Sequence, residues 1–161
     1  LVLENKTGPS LMALSRQNLN EFRQSLDLES KYNPCKNGAY CVESNSKKPE
    51  FAIFASGSEV NIAIEAYQEL SRLNKEISVY SVPCLDYFNS QDNDFRKSII
   101  SNATCNIVVE AGVSQGWDKI LRDNGIFIGM STFGASGPYK DLYKNFNITK
   151  ERIIDVILNS K

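Results

Sequence analysis

The 161-residue sequence carries 18 basic and 19 acidic side chains, a formal net charge of −1, and no histidine. A chain of this length suits one domain that buries about 68–70% of its unfolded surface. With no block of like charge, the balance excludes the electrostatic footprint of a nucleic-acid binder and a basic membrane-surface helix, so neither nucleic acid nor membrane is expected as a partner.

Cys35, Cys41, Cys84 and Cys105 form no C-x-x-C pair, and without histidine the usual zinc spacings cannot arise. Scattered thiols of this kind point to a reducing compartment, and none is expected to be paired. No charged leader precedes an apolar region, and no apolar run approaches about 18 residues. We therefore expect a cytoplasmic chain. It opens on "LVLENKTGPS" with no initiator Met, which leads us to expect a segment of a longer protein.

In chain order, Leu11 to Leu14 is a short apolar run entered through Thr7-Gly8-Pro9-Ser10, the pattern of a buried strand reached by a turn. Ser15, Arg16, Gln17 and Asn18 follow it directly. Asn20 to Asn37 is polar and ends in Tyr32-Asn33-Pro34, a linker composition, and a boundary is placed there: residues 1–30 as a tail and 31–161 as a domain. From Gly38 onward the pattern alternates between strands and helices. "FAIFA" is followed by a Ser/Gly turn and a helix with Val60, Ala63, Ile64, Tyr67 and Leu70 on one face. "ISVYSVP", "NIVVEAG" and "GIFIGM" are further strands, with short helices at "NDFRKSII" and "SQGWDKIL" between them. Pro138 suits a first helical position ahead of a face made by Tyr139, Leu142, Tyr143 and Phe146. A final helix is capped by Thr149 and buries Ile153, Ile154, Ile157 and Leu158. Strands separated by single helices imply parallel pairing through right-handed crossovers, and uniformly apolar strands imply helices on both sheet faces. The predicted fold is a doubly wound α/β sandwich over roughly Gly38 to Lys161, with about five mostly parallel strands.

Several positions invite a functional reading. Gly57 in "ASGSEV" sits where a strand gives way to a helix, but the segment has neither G-x-G-x-x-G nor a P-loop lysine. Glu59 in the first helical turn suits the helix dipole and repels an anion, so capping is favoured. Glu110 lies at the carboxyl end of a strand, the edge where open α/β sheets bind ligands. Without histidine to tune it as a base, hydrogen bonding to loop amides or contact with a neighbouring subunit is favoured. Ser136, between Gly134 and Gly137, reads as part of a turn into a helix. Trp117 fits an interface anchor or core packing equally well. Cys84, lacking a histidine partner, reads as a buried thiol rather than a nucleophile. For Arg16 two readings stay open: a surface salt bridge, or a rigid donor fork presented to a phosphate at a strand end.

Taken together, "LSRQNL" (Leu14 to Leu19), "GAY" (Gly38 to Tyr40), "ASGSEV" (Ala55 to Val60), "SVPCLDYFNSQD" (Ser81 to Asp92), "FRKSII" (Phe95 to Ile100), "VEAGVSQGW" (Val109 to Trp117) and "FGASGPYKDLYKNF" (Phe133 to Phe146) occur in one order and spacing. This set resembles the C-terminal third of a transketolase. Each motif is weak by itself, and the set in register is specific. Tyr32 to Lys36 and Ser44 to Lys48 are the least family-like parts, and Ile120 stands where relatives often carry an aromatic residue.

The resemblance implies a transketolase C-terminal domain preceded by the end of a pyrimidine-binding domain. It assigns Arg16 to the phosphate of the sugar-phosphate substrate. It also implies the family's reaction, transfer of a two-carbon ketol unit from a ketose phosphate to an aldose phosphate in the pentose phosphate pathway. That reaction uses thiamine diphosphate and a divalent cation (Mg or Ca) in a homodimer, and the cofactor carries the carbanion chemistry. The family's diphosphate and metal motif, activating glutamate and active-site histidines lie upstream of a segment matching this one. No catalytic residue is therefore expected in this chain, which should be inactive alone and serve assembly or regulation. A rival reading is a noncatalytic ligand- or partner-binding module using Glu110 and Ser136. Another is the matching domain of a different thiamine diphosphate enzyme, a 2-oxoacid dehydrogenase subunit or a deoxyxylulose-phosphate synthase, against which "LSRQN" argues. A flavodoxin-like carrier lacks support because no hydroxyl-rich phosphate loop follows the first strand.

Overall fold

The structure, a computed structural model, describes residues 5–6, 8–22 and 33–160. Thr7 of the expected entry turn and residues 23–32 of the expected linker lie outside the described residues. After a 3₁₀ turn at Pro34–Asn37, the elements in order are β1 (Tyr40–Ser44), β2 (Phe51–Ala55), α1 (Glu59–Arg72), β3 (Ile77–Ser81), α2 (Leu85–Ser90) and α3 (Asn93–Ile100). They continue as β4 (Cys105–Val109), α4 (Asp118–Leu121), β5 (Ile126–Ile128), α5 (Tyr139–Asn145) and α6 (Lys150–Asn159).

The strands form a 5-stranded sheet in the order β1-β3-β2-β4-β5. β2 pairs in parallel with both β3 and β4, β4 pairs in parallel with β5, and β1 alone runs antiparallel, along β3. Leaving β2, the chain first adds β3 on one side and then crosses back to add β4 and β5 on the other. The winding therefore reverses between β2 and β4, and helices cover both faces as their apolar runs require.

Alternate residues of one strand point to opposite faces, which divides the core in two. Phe51, Ile53 and Ala55 of β2 face α1 and α6, packing with Val60, Leu70, Ile153 and Ile157. Ala52 and Phe54 face the other way, toward Phe88, Ile99, Trp117 and Ile120 from the helical side that α2, α3 and α4 supply. There Phe54 stacks on its registered neighbour Tyr80, with ring centroids 4.9 Å apart and 11° between planes. Such fully buried side chains contribute roughly 1.5–3 kcal/mol each by leaving water. Asn106, also buried, donates to the carbonyls of Ile100 at 2.8 Å and Ile120 at 2.7 Å, tying the ends of α3 and α4 to β4.

Gly38 has a positive φ of 79°, and a Cβ on it would lie 2.2 Å from the Phe88 nitrogen and 2.4 Å from the Cys84 carbonyl oxygen. Only glycine allows β1 and α2 to meet this closely.

Four local expectations are corrected. Leu11 to Leu14 is not a buried strand. It pairs with no described strand, and Leu11 and Leu14 are 96% and 78% exposed. A strand needs a neighbour to take its backbone hydrogen bonds, and none lies beside this run among the described residues. The "SQGWDKIL" helix is confined to Asp118–Leu121, because Gly116 turns with φ of 90° just before it. In α6 the buried positions are Ile153, Val156 and Ile157, while Leu158 is exposed, since the helical repeat carries it past the core stripe. Pro138 takes the N-cap, one position before α5 begins.

Candidate polar site at the carboxyl edge of the sheet

Where β2 and β4 diverge at the winding reversal, their first residues beyond the sheet are Ser56 and Glu110. The Ser56 hydroxyl donates to Glu110 Oε2 at 2.8 Å and closes the gap between the two strand ends. Burial raises the Glu110 pKa, the Ser56 hydrogen bond works against that, and the nearby Glu59 charge adds to it. Among the described residues the Glu110 carboxylate thus takes its hydrogen bond from a serine hydroxyl.

At the first position of α1, Glu59 is only 4% exposed, which requires polar partners for its carboxylate. It has them. Tyr143 Oη, from α5, donates to Glu59 Oε1, and the Ser58 hydroxyl lies 3.0 Å from the same oxygen and 2.8 Å from the Tyr143 oxygen. Ser58 therefore has one proton to share between carboxylate and phenol. It makes no side-chain cap to the backbone of α1, while Glu59 stands in the first helical turn as expected. The Tyr143 pKa is pushed up to about 12, first by burial and then by its hydrogen bond to Glu59.

A further hydrogen bond to Tyr143 comes from far along the sequence: Gln17 Nε2 donates to its phenol oxygen at 3.4 Å. The stretch following Arg16 is thereby laid against α1 and α5. On either side of the Gln17–Tyr143 contact opens a cleft, one of about 850 Å³ and one of about 400 Å³, and both share Gln17, Ser58, Tyr139, Tyr143 and Ile148 as walls. The larger is bordered by Lys140, Lys144 and Lys150 together with Glu65 and Glu151, and the smaller by the apolar Met130, Leu142 and Phe146.

Of the residues singled out in the sequence, Glu59 and Glu110 come together at this edge. Ser136 does not join them: it is exposed, without a side-chain hydrogen bond among the described residues. Trp117 is core, packed beside Ile120. None of the four cysteines forms a disulfide. Arg16 is exposed at a bend and has no hydrogen-bond or ion-pair partner among the described residues. Tyr143 carries more of this site than its place on an apolar helix face foretold, because its partners lie 84 and 126 residues away in the chain. Among the described residues no cluster of three or more His, Cys, Asp or Glu is placed to hold a metal ion, and no helix is long and apolar enough to cross a membrane.

The family model described as Transketolase-like TK C-terminal domain matches residues 38–149. The chain belongs to the transketolase C-terminal domain family. Transketolase 1 of Vibrio vulnificus strain YJ016 is 36% identical over 156 residues, spanning 96% of this chain and 23% of that protein. Transketolase 2 of Aliivibrio fischeri is 38% identical over a stretch of the same length. Among solved structures, transketolase from Campylobacter jejuni superposes with a TM-score of 0.71 at 30% identity, covering 88% of this chain and 20% of that one. Transketolase from Leishmania mexicana gives 0.67 at 37% identity, covering 75% and 17%. The sandwich of five mostly parallel strands is thus the transketolase C-terminal fold, and the chain spans 23% of the length of the curated transferases it matches.

Proposed function

We propose that this chain acts as the C-terminal part of a transketolase, with residues 31–161 as the C-terminal domain and 1–30 as the end of the preceding pyrimidine-binding domain with its linker. The whole enzyme transfers a two-carbon ketol unit between ketose and aldose phosphates in the pentose phosphate pathway, as a cytoplasmic homodimer. The observation that carries this reading is a similarity to transketolases running through 96% of the chain, including the N-terminal "LSRQN" stretch. Arg16 binds the substrate phosphate in that enzyme. Its exposure and its lack of a partner among the described residues support this role over a surface salt bridge.

Thiamine diphosphate and a divalent cation, Mg or Ca, supply the carbanion chemistry when bound to the whole enzyme. The described residues do not fit that group. They offer no metal-ligand cluster, and the N-terminus of α1, the natural diphosphate cradle, carries the buried carboxylate of Glu59. We propose that the isolated chain is noncatalytic, since the resemblance places the cofactor and metal motif upstream of a segment matching this one. Calorimetric titration should detect no micromolar binding of thiamine diphosphate to it, and a coupled assay should detect no ketol transfer, while the full-length enzyme carrying these residues shows both. Cofactor binding by the isolated chain would refute the assignment.

A second reading is favoured by the clefts beside Tyr143: a regulatory ligand or partner bound at the strand-end loops near Glu110 and Ser136. It is compatible with the first, and a change in full-length turnover when this edge is mutated would separate it from a purely structural domain.

A further inference from the structure

From the contact between Gln17 and Tyr143 we infer that Tyr143 is a positioning residue for Arg16, setting how tightly the enzyme holds phosphorylated substrates. The inference rests on the phosphate-binding role proposed for Arg16. Three observations carry it, together with the alignment a phosphate fork requires.

The segment bearing Arg16 is pinned immediately beside that residue. Arg16 and Gln17 occupy one bend, and Gln17 Nε2 reaches the Tyr143 oxygen at 3.4 Å. A second anchor follows at Phe22, which packs against the core face covered by α1 and α6. Before the bend, Leu11, Met12 and Leu14 are exposed and have no such contact. Gln17 is thus a hydrogen-bonded hold on the domain body immediately next to the arginine it orients.

Tyr143 is itself fixed by the body of the domain. Its phenol donates to the Glu59 carboxylate, which is 4% exposed at the first turn of α1, and lies 2.8 Å from the Ser58 hydroxyl. With its own proton committed to Glu59, the phenol oxygen presents a lone pair to Gln17. Burial and the Glu59 contact hold the phenol protonated through the neutral range.

The contact also borders open space. Gln17 and Tyr143 are shared walls of two clefts, of about 850 and 400 Å³, so the segment crosses this face as a strap instead of lying flush on it. Where a strap bridges open space, the few contacts it makes decide the placement of its side chains.

A two-bond guanidinium–phosphate fork is sensitive to placement, since both donors must align together. Loosening the strap lets Arg16 sample misaligned positions and weakens phosphate binding without touching the reacting carbon.

The test is steady-state kinetics of the full-length enzyme with phosphorylated and unphosphorylated aldose acceptors. Tyr143→Phe, which keeps the ring and removes the hydroxyl, should raise KM for the phosphorylated acceptor about threefold to tenfold, the loss one hydrogen bond can transmit, with kcat changed less. KM for the unphosphorylated acceptor should not move. Gln17→Ala should give the same pattern while leaving Tyr143, Ser58 and Glu59 in place, so the test survives if Tyr143→Phe perturbs folding. In an Arg16→Ala background the effect of either substitution should vanish. Equal KM changes for both acceptors, persistence of the effect without Arg16, or a large effect of Arg16→Ala with none from Tyr143→Phe and Gln17→Ala would each overturn the inference alone. An unchanged KM in Arg16→Ala overturns the phosphate-binding role, and this inference with it.

Discussion

Residues 33–160 and residues 8–22 contain similar apolar side chains and treat them in opposite ways. In the sheet, β2 buries every residue from Phe51 to Ala55, and each finds a parallel neighbour in β3 and β4. In the N-terminal segment, Leu11, Met12 and Leu14 stand exposed, and their stretch joins no ladder among the described residues. The difference is one of available partners, not of residue type. Apolar runs become strands only where another edge takes their hydrogen bonds, and the partner that the N-terminal run calls for is the preceding domain we propose.

This contrast can be broken at several points. Gly38→Ala would force a Cβ into the Phe88 and Cys84 backbone at a position with φ of 79°. It should destabilise the sandwich by about 3–5 kcal/mol, measured by denaturant unfolding. A loss below about 1 kcal/mol would show that the β1–α2 approach is not fixed by that glycine.

A smaller effect is expected at Glu110. Burial holds its carboxyl above the ordinary carboxylate value despite the Ser56 hydrogen bond. A raised native-state pKa means the folded protein binds the proton more tightly than the unfolded chain. The stabilising contribution is therefore full below the unfolded value and is lost as pH rises through the folded one. Glu110→Gln keeps an oxygen for Ser56 and removes the charge, so it should be the more stable form at pH 7. The gap should close below about pH 4, where Glu110 is neutral in both states. Unfolding curves across that range that show wild type more stable at pH 7 would contradict the burial argument.

At the N-terminal segment the expected effect is smaller still. Leu14→Ser should change the stability of the isolated chain by no more than about 0.5 kcal/mol, because Leu14 is 78% exposed. In the full-length enzyme the same substitution should destabilise by about 2 kcal/mol or more if the preceding domain covers it. Equal effects in both settings would remove the case for such a cover.

Much of the sandwich was legible because β2, β3 and β4 are continuous apolar runs separated by helical periodicity. The individual identity of β1 was not. Tyr40–Ser44 is an antiparallel edge strand with a bulge between Cys41 and Glu43, and its half-exposed positions carry no apolar run to read. α2 was equally hidden, its N-terminus at Cys84 lacking a side-chain cap. At the carboxyl edge, the places of Glu59 and Glu110 followed from strand-to-helix and strand-end position. Their partners did not. A tyrosine on an apolar helix face gives no local sign that its hydroxyl reaches a carboxylate 84 residues back or a glutamine 126 residues back. Arg16 gained a meaning only from the order of motifs around it, since spacing alone favours a surface salt bridge.

Arg16 is the residue on which the proposed role of this chain turns most directly, and the decisive measurement is the steady-state kinetics of Arg16→Ala in the full-length enzyme. Losing a charge-assisted, two-bond phosphate contact removes roughly 1.5–3 kcal/mol of binding, about tenfold to a hundredfold. The contact is remote from the reacting carbon and holds in ground and transition states alike, so the loss should fall mainly on KM for phosphorylated acceptors. Arg16→Lys should recover only part of it, keeping the charge but not the fork. Unphosphorylated acceptors should be indifferent. A KM unchanged for phosphorylated substrates would contradict the account and leave Arg16 as an ordinary surface charge.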